Sequence, residues 1–267
     1  MNKIIKSIVS MIAGKFHIII VSKAPVVQVE KFLEKIHPKK SGHEFIRIGP
    51  DHDGGYLIPD CLDGISNCFS PGVDTESGFE LDLANRGINV FMADYSVDQP
   101  KVKHRRFSFE KKYLSFMDYG IYMTMDSWVK NSIGIASNSD LLLQMDIEGS
   151  EYECLLAVSN DLLNKFRIIV IEFHHFNRIF ERDFLRMVEK VFNKLLINHS
   201  VVHIHPNNKS NLTFTKGVRI PSLLEITFLR NDFCEFTGYV DEFPHLLDKN
   251  NIAGATIILP KCFFKSG

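Results

Sequence analysis

The chain has 267 residues and a formal net charge of −1, from 31 Lys and Arg against 32 Asp and Glu. With 45% hydrophobic and 24% charged residues, it is neither a disordered tail nor a collagen-like rod nor a multi-spanning membrane protein. The charge balance also argues against a nucleic-acid partner held by bulk positive charge. The length suits one large α/β core with small additions, and five cysteines without a CxxC pair read as reduced thiols of a cytoplasmic enzyme.

At the amino terminus, Lys6 and Lys15 break the apolar sequence well short of the roughly 20 residues that span a bilayer. Lys15 and His17 also fall inside what would be the apolar centre of a signal peptide. At helical spacing Ile5, Ile8, Val9, Ile12 and Phe16 share a face. Residues 1–22 therefore read as a basic amphipathic helix. It either lies on an anionic membrane surface, at the cytoplasmic face, or packs on its own domain or a second copy of the chain. The polar stretch His37–Glu44 divides a helical extension, 1–43, from a main domain, 44–267.

Beyond it, apolar strands and amphipathic helices alternate. Strands are expected at Asn67–Ser70, Asn89–Asp94, Leu141–Asp146 and Phe166–Glu172, with a helix carrying Phe79 and Leu83 that ends at Gly87. A core-facing helix carries Phe184, Val188, Val191, Phe192 and Leu195. Two final strands, Ser200–His205 and Leu223–Arg230, are separated by the polar loop Pro206–Asn211 and read as an antiparallel pair. The alternation predicts a doubly wound, mostly parallel sheet, in which ligands sit beyond the carboxyl ends of the strands.

Those ends carry the chemistry. The first holds Gly72, Asp74 and Glu80 at a turn into a helix, where a glycine admits close backbone approach. The second holds Asp94, about 20 residues on, where a cofactor ribose would be received. This pattern favours a nucleoside-bearing cofactor, although the turn lacks GxGxxG. The third, Asp146-Ile-Glu148-Gly-Ser-Glu151, and the fourth, Glu172-Phe-His174-His175, bring carboxylates to adjacent strands. Such carboxylates repel unless a proton or a divalent cation lies between them. Glu151 reads simply as charge on the first turn of the next helix. The fifth end places His203 and His205 on one face, as zinc ligands, a general base or plain strand histidines. Glu225, among apolar neighbours, needs a histidine, an asparagine or a cation.

Gln144–Glu153 (QMDIEGSEYE) resembles the signature of the FkbM-type S-adenosylmethionine-dependent methyltransferases. Arg47–Tyr56, Gly72–Glu80, Glu172–His174, His205–Asn208 and Leu224–Thr227 match the same family in order, so the resemblance runs from about Arg47 to Arg230. It implies a Rossmann-like class I methyltransferase fold and O-methylation of a sugar hydroxyl in a surface polysaccharide or related glycan. Carried over, Gly72, Asp74 and Glu80 would shape the methionine side of the S-adenosylmethionine pocket, with Asp94 and Tyr95 at the ribose and Asp146 beside them. Asp146, Glu172 and His174 would meet the acceptor hydroxyl. The family commonly has a second glycine two residues after Gly72; here that residue is Asp74. Asp53, Tyr56, Glu148, His175, Asn207, Asn208 and Glu225 are candidate acceptor contacts, Asp53–Tyr56 forming either a lid or a plain turn.

A sugar hydroxyl must lose its proton as it attacks. Either His174 or His205 takes it, or a Mg²⁺-type cation on Asp146, Glu172 and His174 lowers the hydroxyl pKa. The rival readings are a nucleotide-sugar glycosyltransferase, for which DIEG is a poor Asp-x-Asp, a nicotinamide oxidoreductase, and a non-catalytic scaffold at the membrane surface.

Overall fold

The computed structural model describes residues 21–74, 76–134 and 139–265. Nearly all of the expected amino-terminal amphipathic helix lies outside them. Among the described residues, no helix is long and apolar enough to cross a membrane.

Helix α1 (Val26–Lys35) starts after Pro25, whose φ of −61° suits a helix start, and buries Val29, Phe32 and Leu33. Phe32 packs on Phe176 and Phe192, with centroids 6.2 and 5.3 Å apart, so α1 shares the main core. The polar stretch after it is pinned by a bridge between Lys39 and Tyr239. Strands β1 (Phe45–Ile48) and β2 (Tyr56–Pro59) form an antiparallel hairpin.

The central sheet then builds from β3 (Ile65–Pro71), helix α2 (Gly78–Asn85), β4 (Asn89–Ala93) and β5 (Phe107–Glu110). A small pair, β6 (Tyr113–Leu114) and β7 (Tyr122–Met123), precedes α3 (Met125–Ile133), which Thr124 caps by accepting from the Ser127 N–H. After α3 come β8 (Asp140–Met145), α4 (Glu151–Ala157), α5 (Asn160–Leu163), β9 (Phe166–Phe173) and α6 (Arg182–Leu195). The chain closes with β10 (His199–Pro206), β11 (Leu212–Thr215), β12 (Val218–Pro221) and β13 (Leu224–Arg230).

The seven strands lie in the order β10-β13-β9-β8-β3-β4-β5. All neighbours are parallel except β13, which runs antiparallel to both β9 and β10. The expected doubly wound sheet with a terminal antiparallel pair is therefore present. Every residue of β9 and β10 is buried, as strands covered on both faces require. The β10–β13 connection is more than a polar loop, because it contains the β11–β12 hairpin. Lys216 and Gly217, at φ 48° and 91°, make its turn, and the alternation LTFT/VRIP around them is the sequence signal for it.

From β3 the chain winds outward through β4 and β5, then returns to place β8 and β9 on the other side. The order thus reverses between β3 and β8, and the carboxyl ends of these two strands open the crevice where a ligand binds.

Candidate active site

The crevice is a cleft of about 590 Å³, floored by the ends of β3, β4 and β8. Its tightest point is Gly72, at φ 83°. The Gly72 N–H donates to the Ala93 carbonyl at 2.9 Å, and the Asp146 N–H donates to the Pro71 carbonyl at 3.2 Å. A Cβ on Gly72 would stand 1.5 Å from the Asp146 carbonyl oxygen. Glycine is therefore required there by backbone crossing as well as by conformation. Asp74, in the place of the family's second glycine, adopts φ 43°, so the departure in sequence keeps a glycine-like backbone. Aspartate is among the few residues that tolerate it.

The Asp74 N–H donates to Asp94 Oδ2 at 2.9 Å, while Asp94 Oδ1 accepts from the Ser96 N–H and hydroxyl at 2.7 and 2.6 Å. A carboxylate offers about four acceptor positions. Asp94 is thus a fixed carboxylate at the end of β4 with room for one ribose hydroxyl as it stands. Tyr95 does not line the cleft; its ring lies 5.3 Å from that of Tyr113, which does.

Behind Gly72, the Ser70 hydroxyl lies between Glu80 Oε1, in a short contact, and Gln144 Oε1 at 2.5 Å. One hydroxyl proton cannot serve two acceptors. Burial pushes the Glu80 carboxyl up to about 7, and a protonated Glu80 supplies the second proton. A carboxyl whose folded pKa is raised contributes stability below its unfolded pKa and loses it as pH rises through the folded value. Glu80→Gln is therefore expected to match the wild type near pH 4 and to be more stable by up to about 3 kcal/mol near pH 8. Denaturant titrations at both pH values measure this, and parallel behaviour of the two proteins would contradict a protonated Glu80.

At the other end of the cleft, β8 delivers Asp146 and β9 runs on to His174. The His174 Nε2 atom lies 3.3 Å from Glu148 Oε2, 3.8 Å from Asp146 Oδ1 and 3.9 Å from Glu172 Oε1. Its Nδ1 is 3.0 Å from Glu151 Oε1. Burial works to lower the pKa of His174, but the Glu151 hydrogen bond and the surrounding carboxylates outweigh it and leave it raised. Asp146 Oδ1 is buried without a hydrogen-bond partner. Burial pushes this carboxyl to about 7, against the pull of His174. Among the described residues, ligand atoms of Asp146, Glu148 and His174 lie within 4.8 Å of one another, a set that could hold a cation. Glu172, buried and raised by burial and by Asp146, accepts instead from the Asn207 amide at 3.1 and 3.3 Å.

The remaining candidates divide. Asp53 and Tyr56 line the cleft, on a turn built by Arg47, which donates to the Pro50 and His52 carbonyls at 2.8 and 3.0 Å. Asp53–Tyr56 is thus a braced turn that also forms a wall. Lys209, which the sequence reading did not select, lines the cleft and pairs with Asp53. His205 does not line it. Asp248 Oδ1 lies 3.5 Å from His205 Nδ1 and 2.9 Å from His203 Nε2, so both histidines face one buried carboxylate. Glu225 finds the asparagine among its three expected partners, accepting from the Asn251 amide at 2.6 Å. Asn208 bonds the backbone of Ile252, and His175, at φ 56°, turns its ring against Gly149. The reading also missed Tyr113, Leu114, Ser115 and Tyr122, which wall the cleft from the β6–β7 pair. The aromatic run around Tyr119-Gly120 was their only trace in the sequence.

Asp53, Asp74, Glu76, Glu80, Asp94, Asp146, Glu148 and Glu153 face the cleft, against the one ammonium of Lys209 among the described lining residues. Such a cleft favours a cationic ligand. A sulfonium cofactor fits on this count. Gly72, Asp74, Glu80 and Asp94 would hold it, with Tyr113 and Tyr122 opposite.

Sheet order and cleft together define a class I methyltransferase architecture. Residues 122–196 match the methyltransferase FkbM domain, and that stretch of the chain is similar to this family. Among solved structures, that of a fibrillarin/Nop5p complex aligns at 14% identity over 63% of this chain and 74% of the other, with a TM-score of 0.38. One concerning conversion of a disulfide bond into a thioacetal group during echinomycin biosynthesis aligns at 15% identity over 62% and 77%, with a TM-score of 0.33. No curated protein matches the chain significantly.

Proposed function

We propose that the protein transfers a methyl group from S-adenosylmethionine to a sugar hydroxyl of a surface polysaccharide or related glycan precursor. The observation that carries the reading is the buried, unpartnered Oδ1 of Asp146 with His174 Nε2 beside it, at the end of the cleft away from Asp94. When bound, the cofactor would supply an electrophilic methyl on sulfur, which the acceptor oxygen attacks in line while the neutral thioether leaves. A C–O bond forms as the C–S bond breaks, and the hydroxyl proton must leave. Asp146 orients that hydroxyl and His174 Nε2 receives the proton. A divalent cation on Asp146, Glu148 and His174 would do the same work by lowering the hydroxyl pKa, with oxygen ligands suiting a hard ion. Glu172 and Asn207 are buried behind them, bonded to each other and not lining the cleft. We place the protein in the cytoplasm, with residues 1–22 as its contact to the inner membrane face or to a second copy.

Calorimetry with S-adenosylmethionine on the wild type and Asp94→Ala tests the donor. The variant should bind at least about tenfold more weakly, because a charged acceptor for the ribose is lost. Failure of the wild type to bind either the donor or its demethylated product would sink the reading. Turnover of glycan acceptors with and without EDTA separates the two proton routes: an undiminished rate in chelator leaves His174 as the base.

A further inference from the structure

Glu151 behaves unlike a helix-capping charge. It is fully buried at the first residue of α4, and its Oε1 collects three donors: the Gly149 N–H at 2.9 Å, the Ile147 N–H at 3.3 Å and the His174 ring at 3.0 Å. The backbone of His174 is held in turn, its carbonyl accepting from the Tyr152 hydroxyl at 2.7 Å. Tyr152 follows Glu151 directly on α4, so one helical turn grips both ends of the histidine.

We infer that Glu151 is the positioning residue of the site, engaging Nδ1 of His174 and so keeping Nε2 as the nitrogen that exchanges a proton beside Asp146 and Glu148. An ionised carboxylate can only accept, so the nitrogen facing it carries the hydrogen. In a neutral imidazole the other nitrogen is then the free one. Nε2 lies where the Asp146, Glu148 and Glu172 oxygens converge, at 3.8, 3.3 and 3.9 Å. In the neutral ring, its lone pair is what either a departing proton or a cation requires there. Glu151 touches neither acceptor nor donor and acts through the ring alone. The two residues lie 23 apart in sequence and meet because β8 and β9 are adjacent in the sheet.

The inference rests on the methyltransfer reading for its rate effect, but its tautomer effect does not. Nitrogen-15 spectra of histidine-labelled full-length protein, taken above the pH at which His174 titrates, should show the neutral ring with hydrogen on Nδ1 in the wild type and a mixture in Glu151→Ala. A neutral wild-type ring with its hydrogen on Nε2 overturns the inference, whatever the turnover. In a double-mutant cycle, Glu151→Ala should lower kcat about 10- to 100-fold with KM for the donor unchanged, and have no further effect in a His174→Ala background. An equal loss in both backgrounds would mean a structural role only. Should Glu151→Ala not fold, the isosteric Glu151→Gln is expected to fold and to lose about tenfold in kcat, and wild-type kcat in it would overturn the inference. No turnover in the wild type with any acceptor, alongside the expected spectrum, would count against the methyltransfer reading and not against the positioning.

Discussion

Gly72→Ala is expected to cost at least about 4 kcal/mol or to prevent folding, a loss reserved for core and backbone failures. Two independent costs add here. The left-handed φ of 83° is unfavourable for alanine by about 1 kcal/mol. The new methyl would sit 1.5 Å from the Asp146 carbonyl oxygen, a backbone atom that no rotamer change can move aside. Relief would require β3 and β8 to part at their carboxyl ends, breaking the Asp146–Pro71 backbone hydrogen bond and displacing the Asp146 side chain from the site. Denaturant unfolding of the purified variant measures this. A loss below about 1 kcal/mol would mean that the two strands can separate there, and that the crossing does not hold Asp146 in place. Gly87 is the useful control. It also has positive φ, 92°, but a Cβ there meets nothing within 4 Å, so Gly87→Ala should cost only the conformational part, about 1 kcal/mol.

The contrast between those glycines shows what could be read from the chain and what could not. Gly87 was legible as the residue just past a helix end because that requirement is local. Gly72 was legible as a turn glycine, but its partner, Asp146, lies 74 residues away and only the sheet order brings them together. The strand ends carrying Asp94, Asp146 and His174 were readable because buried parallel strands announce themselves as apolar runs with a polar residue at the end. The roles of Glu151 and His205 were not. A glutamate opening a helix looks the same whether it faces solvent or collects a histidine. His205 sits on a strand end as a base would, yet it turns to Asp248, which comes from the irregular 240–259 segment with no periodic pattern to place it. The β6–β7 wall escaped for a related reason: two-residue strands are too short for alternation to register.

Asp146→Asn separates stability from activity. The buried Oδ1 of Asp146 has no hydrogen-bond partner, and burial has already pushed its pKa to about 7. Above that pH the folded protein holds an ionised carboxylate against its preference, a cost absent from the unfolded chain. The sign follows: with a raised folded pKa, stability declines as pH rises through about 7. An uncharged isostere removes that cost, so Asp146→Asn should be more stable than the wild type near pH 8 by at least about 1 kcal/mol. Its methyl-transfer rate should fall about 100- to 1,000-fold, since the amide neither polarises the acceptor hydroxyl nor supplies the negative charge that a proton on His174 or a bound cation requires. Donor affinity, read by calorimetry, should fall far less than the rate, because Asp94 and the Gly72 turn are untouched. A residue kept at a cost to the fold and lost at a cost to the reaction is one that the reaction uses. If Asp146→Asn keeps more than about a third of the rate, the chemistry lies elsewhere in the cleft, and if it is less stable than the wild type near pH 8, the buried oxygen has a partner that repays its burial.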